Sequence, residues 1–213
     1  MQILTLLPHL LWGALVTLEL VLLSGFGILL VGLFASLAKL SRFVIIRLPV
    51  SLYVDLSRSI PLLVLLFLIV FALPDLGIHL SVFWGAILGL VLYYGAYQAE
   101  ICRAGIQAVD KGQVEAAIAL GMRPAQVMRR ITLPQALRVI LPPTASLFIS
   151  ALKGSAQVAV IGLPELLRTG NSLAVASGNF FSIYGVVVSI YLLMTYQFSF
   201  LTGRLEKRLR IHD

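Results

Sequence analysis

Charge is scarce in this sequence: only 12% of its 213 residues are Asp, Glu, Lys or Arg. That fraction lies well below the usage of soluble domains and sets an ordinary water-exposed globule aside. Cysteine is scarcer. Cys102 stands alone without a cluster of possible ligands, so an internal disulfide and a cysteine-based metal site are both excluded. The three histidines, His9, His79 and His212, sit near the ends or in a turn, and neither His-Glu-x-x-His nor Gly-x-Ser-x-Gly occurs. Nothing therefore points to an intramembrane enzyme. A Gly-x-x-x-x-Gly-Lys-Ser/Thr phosphate loop is also missing, so the chain carries no ATP-binding motif of its own. No Lys or Arg precedes the first apolar run, which reads as a retained span with its N-terminus outside, not as a cleaved signal.

Apolar residues are abundant. They make up 60% of the chain, and the mean hydropathy is +1.01, which marks an all-α membrane protein. The length gives room for about five spans of roughly 20 residues in one membrane domain covering 1–213. The apolar runs predict spans at about 10–38, 53–73, 82–100, 138–161 and 182–202. With the N-terminus outside and the C-terminus in the cytoplasm, fourteen of the sixteen Lys and Arg residues fall on the cytoplasmic side, including Arg204, Lys207, Arg208 and Arg210. Only Lys153 and Arg168 do not. The net charge of +7 is thus topology-setting charge and no sign of nucleic-acid binding.

Polar residues inside or beside these runs are the candidates for a pathway. The second run is too short to span alone, so it takes in Asp55 and Arg58, an i, i+3 pair, and Pro61 then removes a backbone hydrogen bond, giving either a kink or a broken helix. Tyr93, Tyr94, Tyr97 and Gln98 lie towards the inner end of the third span, with Glu100 and Arg103 as a further i, i+3 pair. Extending the fourth span to Ile161 makes Lys153 an intramembrane lysine, on one face with Gln157. That face either lines a cavity or packs within the bundle. Leu163 to Asn179 reads as a short outer helix and loop.

The segment 103–137 is a polar insert. Gly112 and Gly121 bracket a stretch rich in Ala, Glu, Leu and Gln, Gly121 suits a helix C-terminus, and Pro124 suits the first turn of a second helix that Pro134 is expected to stop. Val114, Ala117 and Ile118 share one face of the first helix. An elbow this short buries too little to stand alone and needs a partner or its own spans as support.

Residues 96–143, AYQAEICRAGIQAVDKGQVEAAIALGMRPAQVMRRITLPQALRVILPP, resemble the permease subunits of ATP-binding cassette importers of the polar amino-acid uptake type, the histidine, glutamine and arginine group. The resemblance rests on Glu115, Ala116, Ala117, Gly121, Ile131, Leu133 and Pro134 at the spacing of the family's Glu-Ala-Ala loop. RSIPLLVLLF at 58–67, TLEL at 17–20 and VIGLPELL at 160–167 extend it over most of the chain. It implies a type I (MetI-like) permease fold with five transmembrane helices and cytoplasmic coupling helices, in a bacterial cytoplasmic membrane. It also implies a second permease, the same or paralogous, two ATPase subunits that use ATP and Mg, and an extracytoplasmic solute-binding protein that delivers an amino acid.

On this resemblance Gly112, Glu115, Ala116, Ala117, Gly121 and Pro134 form the ATPase-coupling loop. Arg58, Pro61, Tyr94, Gln98, Glu100, Lys153, Ser155 and Gln157 are the candidates for the substrate path or gate. Lys153-Gly154-Ser155-Ala156-Gln157 departs from the family's usual Lys-x-Thr/Ser-Ala/Ser-Leu, with Gln where Leu is common. The alternatives are an importer of another small solute, such as an opine or modified amino acid, and a stand-alone channel or secondary transporter. No internal repeat supports the latter.

Overall fold

The apolar runs fold as helices because a helix satisfies its own backbone polar groups where no water can. The computed structural model describes residues 2–209, with side chains from Thr5 to Arg204; Arg210 and His212, and the side chains of Glu206, Lys207 and Arg208, lie outside that description. Among the described residues there are helices and turns only. Four helical stretches are long and apolar enough to cross a membrane, Thr5–Lys39, Val82–Gln107, Pro124–Ile161 and Phe180–Arg204, and a bent pair, Val44–Ser59 with Leu62–Leu76, makes a fifth if counted as one span.

Helix α1 (Gln2–Lys39) lies along α4 (Val82–Gln107), and the two form the spine of the bundle. Their close approach is set by small residues. A Cβ built on Gly32 would stand 2.6 Å from Gln98 Cβ and 3.1 Å from its backbone carbonyl carbon. Leu20, Ile28, Leu66, Leu90, Val158 and Ile161 fill the core between these helices, α3 (Leu62–Phe67) and the end of α7 (Leu133–Gly154).

The second run is not one helix. Helix α2 (Val44–Ser59) and the stretch from α3 to Leu76 meet at an angle of 112° across Ile60 and Pro61. Pro61 forces the turn: it has no N–H, and it biases Ile60 to the extended φ −100°, ψ 147° that ends α2. The i, i+3 pair expected in α2 does not form. Asp55 faces Lys39 Nζ at 3.6 Å, and Arg58 lies over the Tyr97 ring at 5.3 Å.

Pro134 does not stop the second helix of the insert. Helix α6 (Pro124–Val127) runs through a π-turn, Met128–Thr132, straight into α7 and on through a 3₁₀ stretch to Ile161. In a regular α-helix the Pro134 ring would strike the carbonyl four residues back. The widened turn, in which Leu133 N–H donates to Met128 O, moves that carbonyl aside. The same device recurs in front of Pro74, where Leu73 N–H donates to Leu68 O at the end of the π-turn Leu68–Ala72. Helices α8 (Leu166–Ser177) and α9 (Phe180–Leu209) complete the chain, with Leu10, Leu166, Ala174, Ile183 and Val187 packed between them and α1.

Candidate coupling and pathway sites

The elbow is built from two capped helix ends. Asp110 Oδ1 accepts the Gln113 N–H at 3.1 Å and starts α5 (Lys111–Ala119). Its end is a Schellman turn: Gly121 N–H donates to Ile118 O at 2.9 Å, Met122 N–H donates to Ala117 O at 3.1 Å, and Gly121 holds φ at +78°. Pro124 then opens α6, while Gln126 Oε1 accepts the Arg123 N–H at 2.8 Å.

Only part of the expected apolar face of α5 turns inwards. Ala117 is buried and Val114 packs on Cys102, Val109, Ala136 and Ile140, whereas Ile118 points away, 55% exposed. Glu115, Ala116, Ala119 and Gly121 are exposed as well, and Leu120 is 84% exposed. Beside Glu115 lies a groove of about 580 Å³, lined by Ile106, Lys111, Val114, Met128 and Thr132. The elbow thus presents a low, partly apolar surface with one carboxylate. Gly112 and Pro134 flank it, both exposed.

The candidate path residues divide into two groups. Tyr94, Gln98 and Ser155 are turned into the packed interior: the Tyr94 hydroxyl donates to Ser150 O at 3.0 Å, Gln98 Nε2 to Thr144 Oγ1 at 2.9 Å, and the Ser155 hydroxyl to Leu152 O at 2.7 Å. Gln98 Oε1 has no partner among the described residues. Glu100 holds helices together, since Lys39 Nζ donates to its Oε1 at 2.6 Å and Arg103 donates to its Oε2 at 2.6 and 3.0 Å. Each of these four makes an internal bond of this chain.

Arg58, Pro61, Lys153 and Gln157 remain exposed. Lys153 borders an apolar recess of about 270 Å³ with Ala156, Val188, Tyr191, Leu192 and Thr195. It has no acidic partner among the described residues. Beyond Gly154 the chain winds as a 3₁₀ stretch, Ser155–Ile161, and both Lys153 and Gln157 stay on the open side.

One site was not legible as such. Glu165, in the segment expected to be an outer helix and loop, is fully buried. Its carboxylate caps α8, accepting the Leu167 N–H at 2.9 Å and the Arg168 N–H at 2.7 Å, and it also accepts the hydroxyls of Tyr191 at 2.8 Å and Thr17 at 3.4 Å. Burial pushes its pKa above the ordinary carboxylate value against the pull of those four donors. Thr17 closes the node by accepting the Leu166 N–H at 3.1 Å. The capping position after Pro164 was the available signal; the partners, far away in sequence, carried none.

Residues 27–211 match the profile of the binding-protein-dependent transport system inner membrane component. The chain belongs to this family. Among its relatives, the arginine transport system permease protein ArtQ of Bacillus subtilis is 35% identical over 208 residues, 97% of this chain and 95% of that one. A crystal structure of an amino acid ABC transporter with histidines has a chain that superposes with a TM-score of 0.92 at 40% identity, covering 97% of each. A chain of the MetNI methionine ABC transporter in an inward facing conformation superposes at 0.79 with 22% identity, covering 96% of this permease and 98% of its own length. That second likeness concerns the fold, which is the all-α, MetI-like one expected from the sequence. The permease is therefore a multi-pass membrane subunit of a transport system.

Proposed function

We propose that this permease is the subunit through which an ATP-driven importer moves a polar amino acid across the bacterial cytoplasmic membrane. The observation that carries the reading is the elbow: a rigidly capped two-helix corner whose outward face offers Glu115, Ala116, Ile118 and Leu120 to a partner. Two ATPase subunits, using ATP and Mg, dock on the elbows of this chain and of a second permease. The second permease closes over the side that bears Lys153 and Gln157, and a solute-binding protein delivers cargo at the opposite face. In this reading the N-terminus lies outside and the C-terminus in the cytoplasm, as the distribution of Lys and Arg favours. The amino-acid class is supported by what the similar proteins are named for, arginine and amino acids. The test is uptake of labelled arginine, histidine and glutamine into proteoliposomes holding the assembled complex and its binding protein. Uptake that persists without ATP or without the ATPase would sink the proposal.

Two substitutions probe the elbow. Gly121→Val forces a β-branched residue to φ +78°, at a cost of about 1–3 kcal/mol, and is expected to misdirect the corner. Glu115→Lys reverses the exposed carboxylate. Each is expected to leave the chain in the membrane, to lower copurification of the ATPase and to abolish coupled uptake; normal copurification and transport by both would remove the coupling assignment.

Lys153 and Gln157 are proposed to line the cavity. Lys153→Met and Gln157→Leu are expected to alter substrate-stimulated ATP turnover while the complex still assembles. Unchanged turnover and uptake in both variants would reduce this face to packing.

A further inference from the structure

Helix α2 has three faces where a soluble helix has two. At about 100° per residue, Val50, Tyr53, Val54 and Ser57 fall on one sector, and this one meets the bundle: Val54 packs with Ala35, Ala96 and Ala99, and the Tyr53 hydroxyl donates to Leu92 O at 2.7 Å. Ile45, Leu48, Leu52 and Leu56 occupy a second sector and are 55% to 84% exposed. Arg47, Ser51, Asp55 and Arg58 occupy the third.

The helix also lies crosswise. Through Tyr53 and Val54 it meets α4 between Leu92 and Ala99, and it turns by 112° before the chain climbs beside Leu90 and Ala86. It sits level with the ion cluster of Lys39, Asp55, Glu100 and Arg103, at the end of α1. A helix in that position touches protein, hydrocarbon and water at once, which is the partition its three sectors show.

We propose that α2 is an interfacial helix that binds anionic phospholipid, with Ile45, Leu48, Leu52 and Leu56 among the acyl chains and Arg42 and Arg47 on the headgroup phosphate. Charge favours this occupant. Asp55, the acidic group on the polar sector, faces Lys39, which leaves Arg42 and Arg47 exposed at the helix start with Arg42 stacked 4.8 Å from the Phe43 ring. A second copy of the chain is the poorer fit. Helices meet in membranes through small residues, and the exposed sector carries Ile45, Leu48, Leu52 and Leu56 with the small Ser59 only at the helix end, while Gly25, Gly27, Gly32 and Gly95 are spent on contacts inside the chain. The proposal rests on the reading that the elbow faces the cytoplasm and docks the ATPase, which supplies its reference position, and not on the substrate reading above.

The test uses the purified permease–ATPase complex with Trp12→Phe and Trp84→Phe as background. Leu52→Trp is expected to be quenched by phosphatidylcholine brominated near the carbonyl end at least about threefold more than Ile118→Trp on the elbow. If Leu52→Trp does not assemble, Leu48→Trp reads the same face. Arg42→Gln with Arg47→Gln is expected to lower the phosphatidylglycerol retained per complex, counted by native mass spectrometry, roughly fivefold per arginine, and Lys at both positions to restore it. Equal quenching at Leu52→Trp and Ile118→Trp would mean that protein covers the face and would overturn the proposal. Unchanged phosphatidylglycerol in the double Gln variant would overturn the headgroup assignment.

Discussion

Glu165→Ala is expected to destabilise the folded permease by about 2–4 kcal/mol, because it strands four donors at once, one buried and three partly buried. The N–H groups of Leu167 and Arg168 lose their cap, and the partly buried Tyr191 hydroxyl and the buried Thr17 hydroxyl lose their acceptor. Thermal unfolding of the detergent-solubilised chain should show a large fall. Glu165→Gln should behave differently. It keeps an acceptor oxygen for the α8 N-terminus and removes the charge whose burial raises the pKa of the native carboxyl. A carboxyl whose pKa is raised on folding contributes stability that is present below its unfolded value and is lost as pH rises through its folded value. The wild type should therefore lose stability over that rising window. The Gln variant should show a flatter profile and gain on the wild type towards neutral pH. Parallel pH profiles would show that the carboxylate is not strained by burial, and an alanine variant as stable as the wild type would dissolve the node altogether.

Gly32→Val should be the most damaging single change along the α1–α4 seam. Its Cβ would meet both Gln98 Cβ and the backbone behind it, and the Gln98 side chain cannot step aside without leaving Thr144. Overpacking of this kind costs about 1–3 kcal/mol, with a further ~1 kcal/mol for the broken hydrogen bond. The variant should reach the membrane at reduced level and unfold at lower temperature. Gly32→Ala with Gln98→Gly should recover part of the loss suffered by Gly32→Ala alone, since the second change removes Gln98 Cβ and everything beyond it and leaves only the backbone contact. A Gly32→Val chain that melts like the wild type would show that α1 and α4 can move apart freely.

The sequence disclosed local chemistry well and distant partners poorly. The Gly121 corner, the Pro124 start and the Glu100–Arg103 pair all depend on residues within five positions of one another, and each is present in the structure. Lys39 looked like a topology charge. It is also the partner of Glu100, 61 positions on, and no spacing rule reaches that far. Thr17 and Glu165 are likewise 148 positions apart. Asp55 and Arg58 had ideal spacing for a pair but were claimed by Lys39 and Tyr97 from other helices, so tertiary packing overrode a weak local preference. Pro134 failed as a stop signal because a π-turn absorbed it, a possibility that the residue's usual effect conceals.

That absorbed proline has a mechanical consequence. Because Pro124–Ile161 continues as one helical stretch, the corner at Gly121 and the ammonium of Lys153 are carried on one rod, with about 45 Å between its foot and the lysine. A tilt of about 5° about the foot sweeps the far end through about 4 Å, more than the width of a water molecule. The rod is a lever with its short arm at the elbow. Its compliant points are the π-turn at Met128–Thr132, close to the foot, and the prolines Pro142 and Pro143 halfway along, so their stiffness sets how much of a displacement at the foot reaches Lys153 and how much is lost as local bending.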